Sequence, residues 1–285
     1  MNKLEYFERI CYGGSTEKAD LDTLTAIFQH HIRAIPFENV NIYFGKPVSL
    51  DLQTIFEKLV RKKQGGCCWE HNYLFLWVVK EMGYNVTLIG SNFYIPEMEM
   101  YSINISHPML AAVIDAKTYI FDAGSALAYQ MWQPIEVVSG KEDHQIPGTF
   151  CLTEKKGFWY LDKIKNYQHK LHMLNSGCKG ERKTMHILFF TLRPRSMEYF
   201  QPICTYLQTH EDAMISNVLT LSLQLKDGYI GLFDRKLTKV TYNYKEDSDL
   251  VEAIPLKEEE LEKHIVETFT INLEKNVPIV LCTRK

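Results

Sequence analysis

The amino-acid sequence predicts an α+β fold built from three consecutive parts. Residues 1–83 carry apolar positions at helical spacing, which predicts a helical bundle. Residues 84–192 are rich in β-branched and aromatic residues, which predicts an antiparallel, β-barrel-like sheet. Residues 193–285 mix helix and strand patterns and predict an α/β lid. No internal repeat or low-complexity linker occurs, so the boundaries are placed where the pattern changes.

The clearest helix of the first part begins near Asp51, whose side chain can cap it. Residues 61–63 are basic and suit the negative end of a helix, and residues 64–66, Gln-Gly-Gly, end it. Between them the apolar residues follow an i, i+3, i+4, i+7, i+8 stripe. They are Leu52, Ile55, Phe56, Leu59 and Val60.

Two further helices are predicted in the same part. One starts at Cys67 or Cys68 and stops at Gly83, a natural residue for the position after a helix C-terminus. The other covers residues 21–31 and ends before Pro36, because the residue before a proline disfavours helical geometry.

The second part is predicted to consist of strands joined by tight turns. The predicted strands are 85–94, 109–115, 118–122, 149–153 and 158–162. A turn at Ala116-Lys117 joins the second to the third, and a polar turn at 154–157 joins the last two. The polar stretch 167–183 is expected to be an irregular connection.

The third part continues with alternating elements. After a strand over 187–192, a helix is expected over 196–207, and two strands follow around the turn 226–228. These strands cover 218–225 and 229–233. A charged helix over 258–269 completes the pattern.

Composition excludes several functional classes. Among 285 residues, 46% are hydrophobic, 24% are charged and the net charge is −3, so neither a disordered chain nor a basic surface for nucleic acid is expected. Apolar runs such as Leu74–Val79 are far shorter than the roughly 20 residues that span a bilayer. The first residues include Glu5 where the apolar part of a signal peptide would begin. We therefore expect a cytoplasmic protein without membrane or nucleic-acid partners.

The seven cysteines fit a reducing compartment, because their number is odd and their spacing shows no disulfide framework. No Cys-x-x-Cys pair is present, so no metal site is expected. The adjacent pair Cys67-Cys68 follows two glycines at a predicted helix start. Unpaired N–H groups and the helix dipole favour a thiolate there, although the two residues can also be ordinary buried thiols.

A thiolate nucleophile requires a base and a group that orients the base. His107 lies just before the strand 109–115, and Asp122 ends the strand paired with it, so the two side chains can meet at one end of the hairpin. His71 is the rival base, but it lies three residues beyond Cys68 and points along the helix. A surface or core role for either histidine is the alternative.

Several separated segments resemble the arylamine N-acetyltransferases. Residues 64–72 resemble the family's Arg-Gly-Gly-x-Cys motif with an asparagine four positions on, here Asn72. Other matches are Ile35–Asn39, Ser106-His107 and Phe121–Gly124. The segments closest to the vertebrate cytosolic members are Asp122–Ser125, Tyr129–Pro134, Gly157–Asp162 and Thr205–Thr209.

The resemblance implies a cysteine-protease/transglutaminase-like catalytic core with Cys68 as nucleophile, His107 as base and Asp122 as orienting carboxylate. It implies ping-pong transfer of an acetyl group from acetyl-CoA, without a metal, to arylamines or hydrazines, and O-acetylation of N-hydroxyarylamines. The expected partners are these small molecules and CoA, and the expected state is a monomer. A cysteine-triad thioester hydrolase and a catalytically weakened binding protein are the alternative functions, since fold and triad do not choose the acceptor.

The resemblance also implies binding residues. The acceptor amine is expected against the reacting histidine and five further side chains, which are Phe37, Phe93, Ser106, Ser125 and Leu127. Leu127 replaces an arginine of some vertebrate members, so neutral amines are expected to be preferred over carboxylated ones. CoA contacts are expected from Ile103, Asn104 and Tyr206, whereas the tail 277–285 departs from that of the relatives.

Gln64 occupies the position of the family's arginine, which in that family pairs with the residues represented here by Glu38 and Asn41. An amide cannot neutralise a carboxylate, so a buried Glu38 is expected to lack a charge partner. Substitution of Gln64 by arginine is therefore expected to raise the melting temperature.

Overall fold

A computed structural model of the chain describes residues 1–171, 182–245 and 248–273. Most helices lie in the first part of the chain, two largely antiparallel sheets contain most of the rest, and further helices lie between residues 201 and 267. The predicted α+β class, with a helical first part and a nearly closed antiparallel sheet in the middle, is confirmed. Within the described ranges, none of the helices has both the length and the apolar character that a membrane crossing requires.

The first part of the chain contains the three predicted helices and two that were not predicted. Their bounds are α1 Lys3–Arg9, α2 Leu21–Ala34, α3 Val40–Tyr43, α4 Leu52–Phe56 and α5 Cys68–Glu81. The two that were not predicted are α1 and α3. Asp51 caps α4, because its carboxylate accepts the Thr54 N–H at 2.8 Å. Residues Glu57–Arg61 form a π-helical turn rather than the expected α-helix, and Leu59 and Val60 are still buried.

Helix α5 begins and ends where the glycines predict. Cys67 is its N-cap residue, and Gly83 follows the C-cap with a φ of 87°, a left-handed conformation that favours glycine. Before α5, the short strand β1, Phe37–Glu38, contacts the Gly65-Gly66 loop: Glu38 N–H donates to Gly66 O at 2.8 Å.

The central sheet is built from the following strands: β2 Asn85–Ile95, β3 Met100–Tyr101, β4 His107–Ile114, β5 Lys117–Phe121, β6 Ile135–Glu136, β7 Glu142–Gln145, β8 Gly148–Lys155, β9 Phe158–Ile164 and β11 Thr184–Phe190. Their order is β6-β5-β4-β2-β11-β9-β8-β7, with β3 beside β2. The turn between β4 and β5 lies at Asp115 and Ala116, one residue earlier than predicted, because both residues adopt a positive φ, as a two-residue hairpin turn requires.

A second sheet has the order β1-β12-β13-β14-β15-β10. Its strands outside the first part are β10 Tyr167–Lys170, β12 Thr220–Gln224, β13 Gly228–Phe233, β14 Lys236–Lys245 and β15 Ser248–Pro255. The prediction that 167–183 is irregular is wrong for residues 167–170, since they pair in parallel with β15. Residues 172–181 lie outside the described residues. Strands β14 and β15 were not predicted.

Strand β1 from the first part pairs with β12 from the third, so this sheet joins segments distant in sequence. The division into parts at residues 83 and 192 stays a prediction. The expected helix over 196–207 comprises a 3₁₀ turn, Met197–Phe200, and α6, Gln201–Thr209. Helix α7, Met214–Asn217, and helix α8, Glu258–Glu267, complete the described elements.

The main core lies between the helices and the central sheet. The rings of Phe28, Phe75 and Phe121 from α2, α5 and β5 meet edge to face, with centroids 5.7 to 6.1 Å apart. This packing brings the start of α5 against the ends of β4 and β5. A smaller core under the second sheet contains Leu221 and Phe269.

Candidate active site

The loop before α5 is shaped by two glycines that lack space for a side chain. A Cβ on Gly65 would lie 2.4 Å from Pro36 O, and one on Gly66 would lie 3.1 Å from the carboxylate of Glu70. Gly66 N–H donates to Pro36 O at 3.1 Å. The close approach to β1 turns the chain sharply and places Cys68 in the first turn of α5.

The start of α5 is capped by Glu70, which accepts the Cys67 N–H at 2.9 Å through Oε2. Both oxygens of Glu70 also accept from Lys58 Nζ, at 3.0 and 2.9 Å. Lys58 Nζ lies 2.9 Å from Oε1 of Glu38 as well. Lys58 is thus shared by two buried carboxylates beside the nucleophile loop.

Asp122 and His107 meet at the end of the β4–β5 hairpin, as predicted from their places in the sequence. His107 Nε2 donates to Asp122 Oδ2 at 2.5 Å, and both residues are almost completely buried. The other ring nitrogen, Nδ1, is buried and has no hydrogen-bond partner of normal geometry among the described residues. The Cys68 side chain, like Asp122, acts on this ring and favours its protonated form, which raises the pKa of His107. The structure therefore brings Cys68, His107 and Asp122 together.

The carboxylate of Asp122 is held by three further donors. Oδ1 accepts from Asn72 Nδ2 at 2.8 Å and from Gly124 N–H at 2.9 Å, while Oδ2 accepts from the Ser125 hydroxyl at 2.6 Å. Asn72 also donates to Cys68 O at 3.2 Å. Asp122 is thereby fixed relative to the helix that carries Cys68.

The surroundings of the three triad residues shift their pKa values in different directions. Burial raises the pKa of Cys68, but the neighbouring side chains of Cys67 and His107 outweigh it and lower that pKa to about 6. Burial lowers the pKa of His107, and the charge of Asp122 outweighs it and raises that pKa to about 10. For Asp122, burial is opposed by the His107 charge, which holds the carboxyl pKa below its usual value. Near neutral pH the site contains thiolate and imidazolium.

The adjacent thiols differ. Cys67 is fully buried, and burial raises its pKa well above the usual value, whereas Cys68 retains 8% exposure and has a lowered pKa. His71, the rival base, donates through Nε2 to Pro36 O at 3.1 Å and accepts through Nδ1 from His31 at 2.8 Å. Both of its nitrogens are occupied, so His71 belongs to a buried structural network.

The structure places two of the expected acceptor-binding residues directly against the triad. The Phe93 ring lies 4.5 Å from that of His107, and Ser125 bonds to Asp122. Phe37 and Leu127 both reach strand β12: Phe37 pairs with Ser222, and Leu127 N–H donates to the Ser222 hydroxyl at 2.8 Å. Ser106 accepts from the Trp69 indole N–H at 3.0 Å through its carbonyl.

The expected CoA-binding residues are all exposed, with 86% exposure for Ile103 and 47% for Tyr206. Asn92 donates to the carbonyl of Ile103 at 3.2 Å, and the carbonyl of Asn104 accepts from Ser102. Tyr206 lies on α6 against His210. These contacts do not bring Tyr206 to the 103–104 segment. The tail 277–285 lies outside the described residues.

The expectation that Glu38 lacks a charge partner is wrong. Lys58 supplies the cation, and Gln64 instead donates weakly to Asn272 O at 3.4 Å. The helical stripe that located Leu59 and Val60 does not predict the Lys58–Glu38 ion pair. A lysine on a helix is ordinarily a solvated side chain.

Two residues at the site were not predicted from the sequence. Ser222 accepts the Leu127 N–H, and Gln130 donates to Asp122 O at 2.7 Å. The glutamate three residues after Cys67 matches the spacing of a capping box and could have identified Glu70. Within the described ranges, no cluster of three or more His, Cys, Asp or Glu side chains is arranged to hold a metal ion.

Comparison with known proteins agrees with this geometry. A protein-family model described as N-acetyltransferase matches residues 20–277. The pineal gland isozyme NAT-3 arylamine N-acetyltransferase of Gallus gallus is 47% identical over 98% of this chain and 97% of its own. Arylamine N-acetyltransferase 2 of Homo sapiens is 43% identical over 95% and 94% of the two chains.

Solved structures share the fold at lower identity. The arylamine N-acetyltransferase of M. tuberculosis superposes with a TM-score of 0.80 at 23% identity, covering 95% of this chain and 94% of the other. That of Mycobacterium marinum in complex with CoA gives 0.80 at 21%, covering 95% and 93%. The resemblance found in the sequence motifs is confirmed over nearly the whole chain. The chain belongs to the arylamine N-acetyltransferase family.

Proposed function

We propose that this N-acetyltransferase transfers the acetyl group of acetyl-CoA to arylamines and hydrazines by a ping-pong mechanism through acetyl-Cys68. The observation that carries the proposal is the buried Asp122–His107 pair, which leaves the imidazole Nδ1 without a hydrogen-bond partner among the described residues and able to act as the base. Family membership supplies the reaction class, and the M. marinum relative solved with CoA supports the acetyl donor.

In the first half-reaction, the Cys68 thiolate attacks the thioester carbonyl carbon. The tetrahedral intermediate expels the CoA thiolate, which takes a proton from the His107 imidazolium and leaves as the free thiol. The acetyl group remains on Cys68, and His107 is neutral. The low pKa of Cys68, about 6, keeps the nucleophile ionised at neutral pH.

In the second half-reaction, the amine nitrogen attacks the carbonyl carbon of acetyl-Cys68 and loses a proton to neutral His107. The intermediate collapses, the acetamide leaves, and Cys68 returns as thiolate beside imidazolium His107. Asp122 accepts the Nε2–H throughout and keeps Nδ1 available for the proton.

The developing oxyanion requires hydrogen-bond donors near Cys68. The N–H groups in the first turn of α5 have no acceptor within the helix, and Cys68 lies in that turn. We propose that its own amide is one donor, which places the positive end of the helix dipole at the negative oxygen.

The acceptor is proposed to contact Phe37, Phe93, Ser106, Ser125 and Leu127 beside His107. The apolar side chain at Leu127 offers no cation to a carboxylate, so neutral arylamines and hydrazines are preferred. Comparison of kcat/KM for aniline and p-aminobenzoate tests this preference. A higher value for p-aminobenzoate would contradict it.

CoA is proposed to contact Ile103, Asn104 and Tyr206, whose side chains lie exposed.

We also propose that the protein acts in the cytoplasm, where its free cysteines stay reduced, and as a monomer. Light scattering after gel filtration tests the monomer.

Mass spectrometry of the intact protein tests the proposed function. Acetyl-CoA alone should add one acetyl group that persists, and addition of an arylamine should remove it with formation of the acetamide. Cys68→Ala should show no adduct, whereas Cys67→Ala should still form it. An adduct that clears in water at the same rate without amine would identify a thioester hydrolase, and a wild-type protein that forms no adduct would identify a binding protein.

A further inference from the structure

We propose that Lys58 is a positioning residue for the nucleophile: its ammonium joins Glu38 of β1 to Glu70 of α5 and so fixes the start of α5 beneath Cys68. The inference rests on the proposed function, because it takes Cys68 as the acetyl carrier. It concerns a cation that the reaction itself does not use.

Lys58 is placed between two carboxylates that are almost fully buried. Its Nζ lies 3.0 and 2.9 Å from the two oxygens of Glu70 and 2.9 Å from Oε1 of Glu38. Side-chain exposure is 13% for Lys58, 3% for Glu38 and 2% for Glu70. Such a shielded cation with three short contacts differs from a surface ion pair, which is usually weak.

Glu70 is bonded to the nucleophile loop through its carboxylate, and Glu38 is bonded to it through its backbone N–H. Glu70 Oε2 accepts the Cys67 N–H at 2.9 Å, directly before Cys68. Glu38 Oε2 accepts the Val40 N–H at 2.7 Å, and Glu38 N–H donates to Gly66 O at 2.8 Å. The ammonium therefore closes a ring of contacts that runs from β1 through the glycine loop to the cap of α5.

The backbone around Lys58 is itself anchored. It belongs to the π-helical turn Glu57–Arg61, a rare geometry often found at functional sites. Arg9 holds the same turn, since its Nε donates to Leu59 O at 2.9 Å and its guanidinium to Ala34 O at 2.8 Å. The turn thus directs Lys58 to the two carboxylates while Leu59 and Val60 remain in the core.

The charges explain why the cation is needed. One ammonium faces two carboxylates, and burial alone would favour the neutral forms of Lys58 and Glu70. The pKa of Glu70 is raised by burial, against the opposing effect of Lys58. The charges of Glu38 and Glu70 outweigh burial and raise the pKa of Lys58. Without Lys58, two unpaired carboxylates would lie together, and Glu70 could relieve this only by taking a proton or by leaving the Cys67 N–H.

Lys58 makes no contact with Cys68, His107 or Asp122 among the described residues, so its effect passes through the cap of α5. Displacement of the cap moves Cys68 relative to His107 and leaves negative charge near the thiolate. Both changes slow attack on the thioester and raise the pKa of Cys68.

The test compares Lys58→Met, which keeps the aliphatic stem, with Lys58→Arg, which keeps the charge. Two readouts are needed: the rate of CoA release in the first half-reaction, and the pH midpoint for alkylation of Cys68 by iodoacetamide. We expect Lys58→Met to slow CoA release roughly 10- to 100-fold and to move the midpoint to higher pH. Lys58→Arg should restore both toward wild type, and Lys62→Met, an exposed lysine of the same segment, should change neither.

A triple variant covers the case in which Lys58→Met does not fold. Lys58→Met, Glu38→Gln and Glu70→Gln together remove all three charges, so no buried charge is left unpaired. This variant should fold yet release CoA slowly at its own best pH, because the tie between β1 and α5 is lost. Wild-type CoA release in the triple variant, or Lys58→Arg as slow as Lys58→Met, would overturn the proposal.

Failure of the proposed function gives a different result. Wild-type protein would then form no acetyl adduct, or an adduct that clears in water without amine. The alkylation midpoint of Cys68 does not depend on acetyl transfer and would still report the effect of Lys58.

Discussion

Two adjacent cysteines begin helix α5 with opposite acid–base behaviour. Cys67 is buried, which raises the pKa of its thiol, and the same side chain is one of the groups that lower the pKa of Cys68. Together with His107, Cys67 lowers the pKa of Cys68 to about 6. Cys67 therefore favours ionisation of Cys68, although Cys67 cannot replace Cys68 as the nucleophile.

Removal of the Cys67 thiol should raise the pKa of Cys68. A hydrogen bond to a charged group contributes about 1.5–3 kcal/mol, which corresponds to about one to two pH units. The pH midpoint of Cys68 alkylation in Cys67→Ala should therefore rise by that amount, as followed by peptide mass spectrometry. Cys67→Ser retains a donor and should stay close to wild type. An unchanged midpoint in Cys67→Ala would show that Cys67 does not lower the pKa of Cys68.

Gln64 affects the stability of the protein less than its place in the motif indicates. Because Lys58 already pairs with Glu38, Gln64→Arg adds a cation to a site that has one. We expect the free energy of unfolding to change by less than about 1 kcal/mol, as is usual for a partly exposed charge. Differential scanning calorimetry of wild type and Gln64→Arg measures this change in stability. A rise of several degrees in melting temperature would show that Lys58 alone does not compensate the two buried carboxylates.

At the scale of elements, the site depends on the contact between helix α5 and the loop after β5. A Cβ on Gly124 would lie 2.6 Å from the Cα of Cys68 and 2.9 Å from its carbonyl oxygen. The loop can approach the helix only because residue 124 has no side chain, and this approach lets Asn72 bond to Asp122 at 2.8 Å.

Gly124→Ala should therefore push the loop away from the helix. Displacement of the Asp122–His107 pair by about an ångström should lower kcat/KM roughly 100-fold. Gly13→Ala is the matched control, because no atom lies within 4 Å of its added Cβ. Steady-state acetylation of aniline checks both variants. Wild-type activity in Gly124→Ala would show that the loop adapts without moving the triad.

The elements also show where local pattern is informative. The stripe after Asp51 correctly located a capped helix and its buried side, because burial of one face is encoded at spacings of three and four residues. It did not reveal the π-turn at 57–61, since one extra residue in a turn leaves the apolar residues buried. The strand at 167–170 was not predicted because its residues are polar and its partner strand is distant in sequence. Tyr167 pairs with Ser248, 81 residues later.

For the whole molecule, a chain of buried polar groups crosses the core next to the site. Pro36 O can only accept, so His71 donates through Nε2 and accepts from His31, which in turn accepts from the Tyr6 hydroxyl at 2.9 Å. Burial lowers the pKa of His71 to about 4. The folded protein therefore keeps this network neutral.

This network should make stability fall with decreasing pH. An unfolded histidine binds a proton near pH 6.5, while folded His71 does so only near pH 4, so between these values the unfolded state binds more protons. Between pH 7 and pH 5 the loss from His71 is about 2 kcal/mol.

His71→Gln should reduce this loss, because a glutamine amide can donate to Pro36 O and accept from His31 without titrating. Urea unfolding at pH 7 and pH 5 measures it, with exposed His144→Gln as control. The same pH dependence in His71→Gln and wild type would assign the loss to other groups.

The sequence by itself determined the α+β class, the helix that begins at Cys68, the hairpin that ends at His107 and Asp122, and the family. These features depend on periodicity, turn residues and short motifs, which neighbours in sequence specify. Only the tertiary structure decided that Lys58 neutralises Glu38 and Glu70, that Ser222 joins Phe37 to Leu127, and that Asn72 fixes Asp122. Buried charges and amides find partners wherever packing brings chain segments together, and sequence spacing does not encode those partners.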